Sequence, residues 1–600
     1  MFCVAHGPGP EKEVGGISDV GSRCQVALAR TVRVCYSPGM RRALCANIVL
    51  VIAVLGLGAV LRFGHLGLDV TSVARDGPAV DDTYYYFGIA RNMLAGLGAT
   101  HDGLHATAGF HPAWMAVVVG VSAVTGDDLY LPVALAMYLQ VLLAIVTGLV
   151  LFRLAKLVSG KEGAMFALLG WSVMPPFVTE SINGLETGLA CLGLIIGFWA
   201  HLKWVVPTQG RLTPKRAVLV GAIYGGMILC RLDLGLPAAI LGVHWIFMAM
   251  RRPTPSIRWS SLRSIALATT TGLLVVAPWF AFVHHQTGGW LPESGGATRN
   301  IALAYGTRPG KPDTVHVDLK SPTSEFYVAQ VLATARETLT RPTLWPVTVI
   351  TTGLRESGVL PWGIRGLALV GAGMTAAWIA WRLHRRRRDP AQGTPASRTV
   401  GPIVLLASLG YVTAYTLLVF GSWWFQRYYT PMMLLWLMYS AIPIQRGFDA
   451  LQLHQGSANQ ARLAAALVGT LVLAFAFGGR EAQSDVKNPT APYWEMAEMA
   501  DQLLPEGARL GAFQSGTLAY ASRHTVVNLD GVVNHQAGAA LREGRVMAYA
   551  LEEGVDCILD WPHVLHDLLY LRSEPGDLAR WKLVASGSMD LLCVQQPPAP

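Results

Sequence analysis

Apolar residues in this chain gather into long unbroken runs rather than short alternating ones. Such runs recur at about 43–63, 130–152, 163–179, 187–204, 217–230, 232–250, 264–283, 364–383, 401–420, 430–445 and 463–478. Several approach the ~20 residues that cross ~30 Å of hydrocarbon as an α-helix, and 217–230 falls short of it. Another apolar stretch, 112–125, is also short and opens on Pro112.

Charge between the runs decides how 112–125 is read. If it lies in the interface or re-enters, the loops with Arg153-Lys156-Lys161, Lys203 to Arg216, Arg251 to Arg263, Arg382 to Arg388 and Arg446 all fall on one side. The loops around Glu186, Asp233 and Tyr428, poor in Lys and Arg, fall on the other. The positive-inside rule makes the first side cytoplasmic; if 112–125 crossed, every assignment would invert. The expectation is therefore about eleven spans in the plasma membrane, N-terminus inside and C-terminus outside.

This divides the chain into a leader, 1–40, a membrane domain, 41–478, with outer loops 64–129 and 285–362, and an outer domain, 479–600. The leader lacks periodicity and reads as a floppy cytoplasmic segment, or as an over-extended gene start; Met40-Arg41-Arg42 before an apolar run reads as a signal anchor. The tail alternates β-rich runs at 509–513, 525–529, 557–560, 583–586 and 591–594 with helical stretches at 493–504 and 536–551. That pattern predicts a small α/β domain.

Composition agrees. Charged residues are 14% and hydrophobic residues 52% of 600 residues, too few charges to cover a soluble protein of this size. The net charge of +9 could suggest nucleic acid, but the basic residues sit in short runs between apolar stretches, with no basic face of interleaved aromatics. No P-loop, Gly-x-Ser-x-Gly or His-Glu-x-x-His pattern occurs. Cysteines form no CxxC; Cys557 and Cys593 alone could pair in an oxidising compartment, two free thiols being the plainer reading.

The most informative segment is the first outer loop: Val80-Asp81-Asp82-Thr83-Tyr84-Tyr85-Tyr86, Ile89-Ala90-Arg91-Asn92, then Gly109-Phe110-His111-Pro112 before Trp114. Adjacent carboxylates at a membrane surface repel each other and resist desolvation. They suit a metal site or a base that takes a proton from an incoming hydroxyl; a solvated acidic turn is the plain alternative, and the tyrosines equally suit an interfacial belt. His101, Asp102, His105 and His111 could gather on a metal, although their spacing fits no familiar zinc pattern.

This loop resembles the first outer loop of the GT-C glycosyltransferases, polytopic enzymes that use polyprenyl-phosphate sugars and include protein mannosyltransferases, the aminoarabinose transferase of lipid A and arabinosyltransferases. Further stretches are similar in order: Asn183-Gly184-Leu185-Glu186-Thr187, Arg231-Leu232-Asp233-Leu234-Gly235, Trp290-Leu291-Pro292-Glu293-Ser294 with Arg299, Arg427-Tyr428-Tyr429-Thr430-Pro431, and Asn528-Leu529-Asp530-Gly531. Leu232 and Leu234 depart from the family's Arg-Pro-Asp-Gly turn.

The resemblance implies a polytopic all-α membrane protein of GT-C type with a small C-terminal α/β extracytoplasmic domain. It implies an inverting transfer of sugar from polyprenyl phosphate to a hydroxyl of a glycan, lipid or protein. The base falls on Asp81 or Asp82, with a slight preference for Asp81, and a divalent cation on the same pair is a further expectation. Tyr84, Tyr85, Arg91, His111, Glu186, Arg231, Asp233, Ser294, Arg299, Arg427 and Tyr428 become candidates for binding substrate. An arginine fork at Arg427, Arg299 or Arg91 would stabilise departing lipid phosphate, lipid snorkelling being the plain alternative. For Glu186, Arg231 and Asp233 that alternative is a structural ion pair between helix ends. A flippase or transporter of a lipid-linked sugar, and a non-catalytic scaffold of envelope assembly, are the rival functions.

Overall fold

The computed structural model describes residues 38–251, 254–292, 294–297, 301, 394–415, 417, 426–450, 490–566, 576 and 579–594. The runs at 364–383 and 463–478, Arg299 and most of the leader lie outside these. The chain divides into two compact units, Met1–Gly56 and Leu57–Pro600. Within the first, the described residues belong to helix α1 (Pro38–Leu66); everything that follows concerns the second.

Helices dominate the membrane part. In order come α2 (Val70–Asp76), α3 (Asp81–Leu94), α4 (Pro112–Thr125), α5 (Leu131–Val158), α6 (Lys161–Val173), α7 (Pro175–Glu180), α8 (Thr187–Ala200), α9 (Pro214–Cys230), α10 (Gly235–Met250), α11 (Pro255–Thr287), α12 (Pro395–Ala414) and α13 (Gln426–Ala450). Proline at the first turn starts α4, α5, α7, α9, α11 and α12, where its missing N–H costs nothing. Among the described residues, five helical stretches are long and apolar enough to cross a membrane: Ile48–Leu66, Leu131–Val158, Thr187–Val205, Leu232–Met250 and Pro255–Thr287. Helix α4 has 14 residues, about 21 Å of length, short of the ~30 Å hydrocarbon layer.

The run 163–179, expected as one segment, is two helices. Pro175 and Pro176 cannot extend α6, and Met174 turns to an extended conformation between α6 and α7. The carbonyls freed at this break are collected by Arg62, which is 2% exposed. Its guanidinium donates to Trp171 O (3.1 Å), Ser172 O (3.4 Å), Phe177 O (3.0 Å) and Ser181 Oγ (2.8 Å). A buried arginine is thus satisfied by helix-end dipoles.

The C-terminal part is α/β, as expected. Helix α14 (Ala491–Leu503) precedes strand β1 (Arg509–Ala512), α15 (Gly516–Ala521), β2 (Thr525–Asn528), α16 (His535–Arg542), α17 (Val546–Glu552), β3 (Cys557–Asp560), β4 (Trp581–Ser586) and β5 (Asp590–Val594). The sheet order is β2-β1-β3-β5-β4, with β2, β1 and β3 parallel and β5 and β4 antiparallel. The stretch 536–551 is broken at Gly544, whose φ is +68°. Cys557 and Cys593 face each other across β3 and β5 and form a disulfide. One core runs through both parts: Tyr84, Phe87, Trp114 and Trp279 pack in the same cluster as Trp494, Tyr520 and Val533.

Candidate active site

Helix α3 organises the candidate site. At 100° per residue, positions four apart share a face. Asp81 and Tyr85 therefore look one way, Asp82 and Tyr86 the next, and Tyr84, Phe87 and Arg91 a third.

The Asp81 face meets the C-terminal domain. The Asp81 carboxylate accepts the backbone N–H groups of Gly516 (3.1 Å) and Thr517 (2.7 Å), the first residues of α15. Contact is so close that a Cβ on Gly516 would lie 2.2 Å from the Asp81 carbonyl oxygen. Burial pushes Asp81 up to about 6; the two amides oppose this and the Asp82 charge adds to it. The Tyr85 hydroxyl accepts from Ser515 N (3.3 Å) and Asn528 Nδ2 (3.4 Å), and its ring stands edge-on to His101. Arg91 covers the other end of α15, donating to Ala519 O (3.4 Å) and Tyr520 O (3.3 Å) over the Tyr520 ring. Tyr84 is fully buried, donates to Ala74 O and packs on Trp494 and Tyr520. These four side chains make packing and domain contacts.

The Asp82 face is different. Asp82 forms an ion pair with Arg427, and its side chain is 44% exposed while that of Arg427 is 11% exposed. Arg427 lies over the Tyr428 ring, 5.3 Å from its centroid. What aims Arg427 is Arg231. Its Nη1 donates to Arg427 O (2.9 Å) and its Nη2 to Tyr428 O (2.9 Å), pinning the start of α13. Nε and Nη2 of Arg231 hold Asp233 at 2.7–3.0 Å, and Tyr411 and Tyr415 donate to Asp233. Each guanidinium nitrogen of Arg231 has an acceptor, and Arg231 with Asp233 ties helix ends together.

Glu186 reaches the Asp82 face from another direction. Gly184, at φ +78°, turns the chain where a side chain would strike Thr83. The turn is held by Thr83 Oγ1 to Asn183 O (2.9 Å), Trp114 Nε1 to Gly184 O (2.9 Å) and Gln140 Nε2 to Leu185 O (2.6 Å). Tyr86 donates its hydroxyl to Glu186 Oε2 (3.0 Å) and accepts the His111 N–H (3.0 Å). His111 Nε2 stands 3.7 Å from Glu186 Oε1, and its buried Nδ1 has no hydrogen-bond partner among the described residues. Burial pushes the His111 imidazole below its usual value, against the pull of Glu186, which keeps it neutral at pH 7. Both Glu180 and Glu186 act electrostatically on Arg427.

Asp82, Arg427, Tyr428, Glu186 and His111 thus gather with Tyr86, which sequence reasoning did not single out; its signal was the four-residue spacing from Asp82. Ser294 begins a helical turn, 294–297, beyond the end of α11. The histidines of the first loop do not converge. His105 Nδ1 binds Asp102 (2.7 Å) and its Nε2 Glu553 (3.2 Å), His101 faces Tyr85 and Ser515, and His111 faces Glu186. Among the described residues, no group of three or more His, Cys, Asp or Glu side chains is placed to hold a metal ion. Asp81 and Asp82 are turned to different partners.

Two more carboxyls lie at the domain junction. Asp530, 7% exposed, accepts Val532 N (2.8 Å) and is pushed up to about 8, by burial first and then by Asp82 and Asp81. Asp560 accepts Phe513 N (2.7 Å) and Gln514 N (3.1 Å), and burial raises it to about 7.

Comparison with known proteins bears on the fold. A family of domains of unknown function (DUF8728) matches residues 480–595. None of the curated proteins matches the chain by sequence. Among solved structures, the chain is similar to the archaeal oligosaccharyltransferase AglB from Archaeoglobus fulgidus in complex with an inhibitory peptide and a dolichol-phosphate. Identity is 11%, covering 92% of this chain and 75% of that one, with a TM-score of 0.52. It is also similar to ArnT from Cupriavidus metallidurans in the apo state, at 15% identity over 92% of this chain and 98% of that one, with a TM-score of 0.50. Both are GT-C glycosyltransferases. The chain has the GT-C fold, a helical membrane body with a small sheet domain at its C-terminus.

Proposed function

We propose that the chain is an integral-membrane glycosyltransferase. It moves a sugar from a polyprenyl-phosphate donor to an acceptor hydroxyl on the outer face of the plasma membrane. The reading rests on one observation above the others: a half-exposed carboxylate, Asp82, paired with a buried arginine, Arg427, at the outer loop of a GT-C fold. The oxidised Cys557–Cys593 pair supports an outside location for the C-terminal domain.

In the resting state Asp82 and Arg427 neutralise each other. A phosphodiester arriving from the membrane competes for the Arg427 guanidinium, whose fork suits phosphate oxygens. That leaves an Asp82 oxygen to accept the proton of the acceptor hydroxyl as its oxygen bonds to the anomeric carbon. The bond from the anomeric carbon to the phosphate oxygen breaks, and lipid phosphate departs with the electron pair beside Arg427. One displacement inverts configuration. Neutral His111, with Glu186 and Tyr86 behind it, would bind sugar hydroxyls or a phosphate oxygen. Asp82 replaces Asp81 as the preferred base, because the Asp81 carboxylate already serves two amides of α15.

The test is sugar transfer by purified, detergent-solubilised protein from polyprenyl-phosphate donors, with Asp82→Asn beside the wild type and undecaprenyl phosphate binding measured in parallel. Loss of transfer with binding kept is expected. An Asp82→Asn protein that transfers sugar at the wild-type rate would falsify the assignment.

A further inference from the structure

Helix α15 is held by α3 at both ends. Its first amides sit on Asp81 and its last carbonyls under Arg91, so each end meets a side chain of opposite charge. Asp81 and Arg91 stand ten positions apart on α3, about 15 Å along its axis. Two anchors so separated fix the tilt of a helix and also its rotation. Tyr85, between them, adds the bonds from Ser515 and Asn528.

Rotation matters because Asp82 follows Asp81 directly. A carboxylate lies roughly 6 Å from the helix axis, so turning α3 by about 20° moves it about 2 Å. Transfer chemistry does not tolerate that: a 1 Å misplacement of a reacting group costs about 10²-fold in rate. On the other side of α3, Arg231 holds Arg427 from within the membrane body. The two partners of the Asp82–Arg427 pair are therefore aimed by different parts of the molecule.

We propose that the C-terminal domain is a positioning element of the transfer centre, its helix α15 setting the aim of Asp82 through Asp81, Gly516 and Arg91. This rests on the glycosyltransferase reading above and adds to it a role for the domain that does not require contact with substrate.

The experiment uses the full chain in detergent, with Gly516→Val, Arg91→Ala, Arg91→Lys and Asp82→Asn. Turnover is followed with the polyprenyl-phosphate sugar that the wild type consumes, binding with undecaprenyl phosphate, and helix seating by hydrogen exchange at 81–91 and 516–521. Gly516→Val forces the Asp81 backbone away; it should lower kcat about 10²-fold while leaving donor KM within about twofold. Arg91→Ala removes an exposed side chain without disturbing the core, and should lower kcat about tenfold with the same KM. Exchange should quicken in both segments, and Arg91→Lys should restore kcat. Should Gly516→Val fail to fold, the Arg91 pair decides alone. Wild-type kcat despite quickened exchange would overturn the positioning role, as would kcat and KM changing together. Either result, with Asp82→Asn inactive, leaves the enzyme standing; an active Asp82→Asn removes both.

Discussion

Asp81 and Asp82 are neighbours in sequence, alike in chemistry, and opposite in surroundings. Asp81 is closed in by the amides of α15, while Asp82 stays half-exposed and faces an arginine from a distant helix. Helical geometry alone separates them, since one residue of advance turns a side chain by 100°. A carboxylate that terminates a helix has little left to offer a substrate; one whose partner can be drawn off by phosphate has the means for acid–base work. The two carboxylates form a bracket, Asp81 meeting the C-terminal domain and Asp82 meeting Arg427.

The sharpest way to break this contrast is to exchange the two losses. Asp82→Asn should lower kcat by about 10³-fold, the range of a lost general base, with undecaprenyl phosphate still bound. Arg427→Lys keeps the charge and loses the fork, and a fall of about 10²-fold in kcat/KM is expected in the same assay. Arg231→Met should act otherwise: it leaves the partly buried Asp233 and the carbonyls of Arg427 and Tyr428 without their cation and should cost about 3 kcal/mol of stability, seen as an early thermal transition in detergent. If Arg231→Met left melting unchanged and only weakened donor binding, Arg231 would belong with Arg427 at the substrate.

How much of this was legible beforehand follows from distance along the chain. The α/β tail and its strands are local patterns and form close to where the pattern puts them, as do the apolar runs among the described residues apart from 163–179. The Arg231–Asp233 tie was legible as one of two readings, since its partners are two residues apart. The break at Pro175-Pro176 was written in the sequence and was passed over in favour of one continuous span. The uses of Asp81 and Asp82 were not legible. Thr517 lies 436 residues beyond Asp81, and Arg427 lies 345 beyond Asp82. No periodicity carries information over such separations, so the different partners of the adjacent carboxylates appear only in the fold. The contacts of Tyr84, Tyr85 and Arg91 with Trp494, Ser515 and Tyr520 were hidden for the same reason, since those partners lie about 400 residues further along the chain.

The smallest expected effect concerns how firmly that seat holds as pH changes. Asp81, Asp560 and Asp530 are raised to about 6, 7 and 8 at the junction. A carboxyl raised in this way takes up a proton as the junction closes. Its contribution is complete below the ordinary carboxylate range and is lost as pH climbs through the raised value. His105, raised by Asp102 and Glu553, acts in the same direction. His101, lowered to about 4 by burial, opposes them, because it must shed its proton to be buried; Asp102, lowered to about 2, matters only in stronger acid. Between pH 6.5 and 8.5 the carboxyls of Asp560 and Asp530 dominate. Hydrogen exchange at 516–521, corrected for intrinsic rate, should therefore be several-fold slower at pH 6.5 than at 8.5. Asp530→Asn removes the group that titrates highest and should flatten the upper half of that profile while leaving the Asp82–Arg427 pair in place. A profile equally steep in Asp530→Asn would assign the dependence to Asp560, whose amide partners Phe513 and Gln514 lead directly into α15.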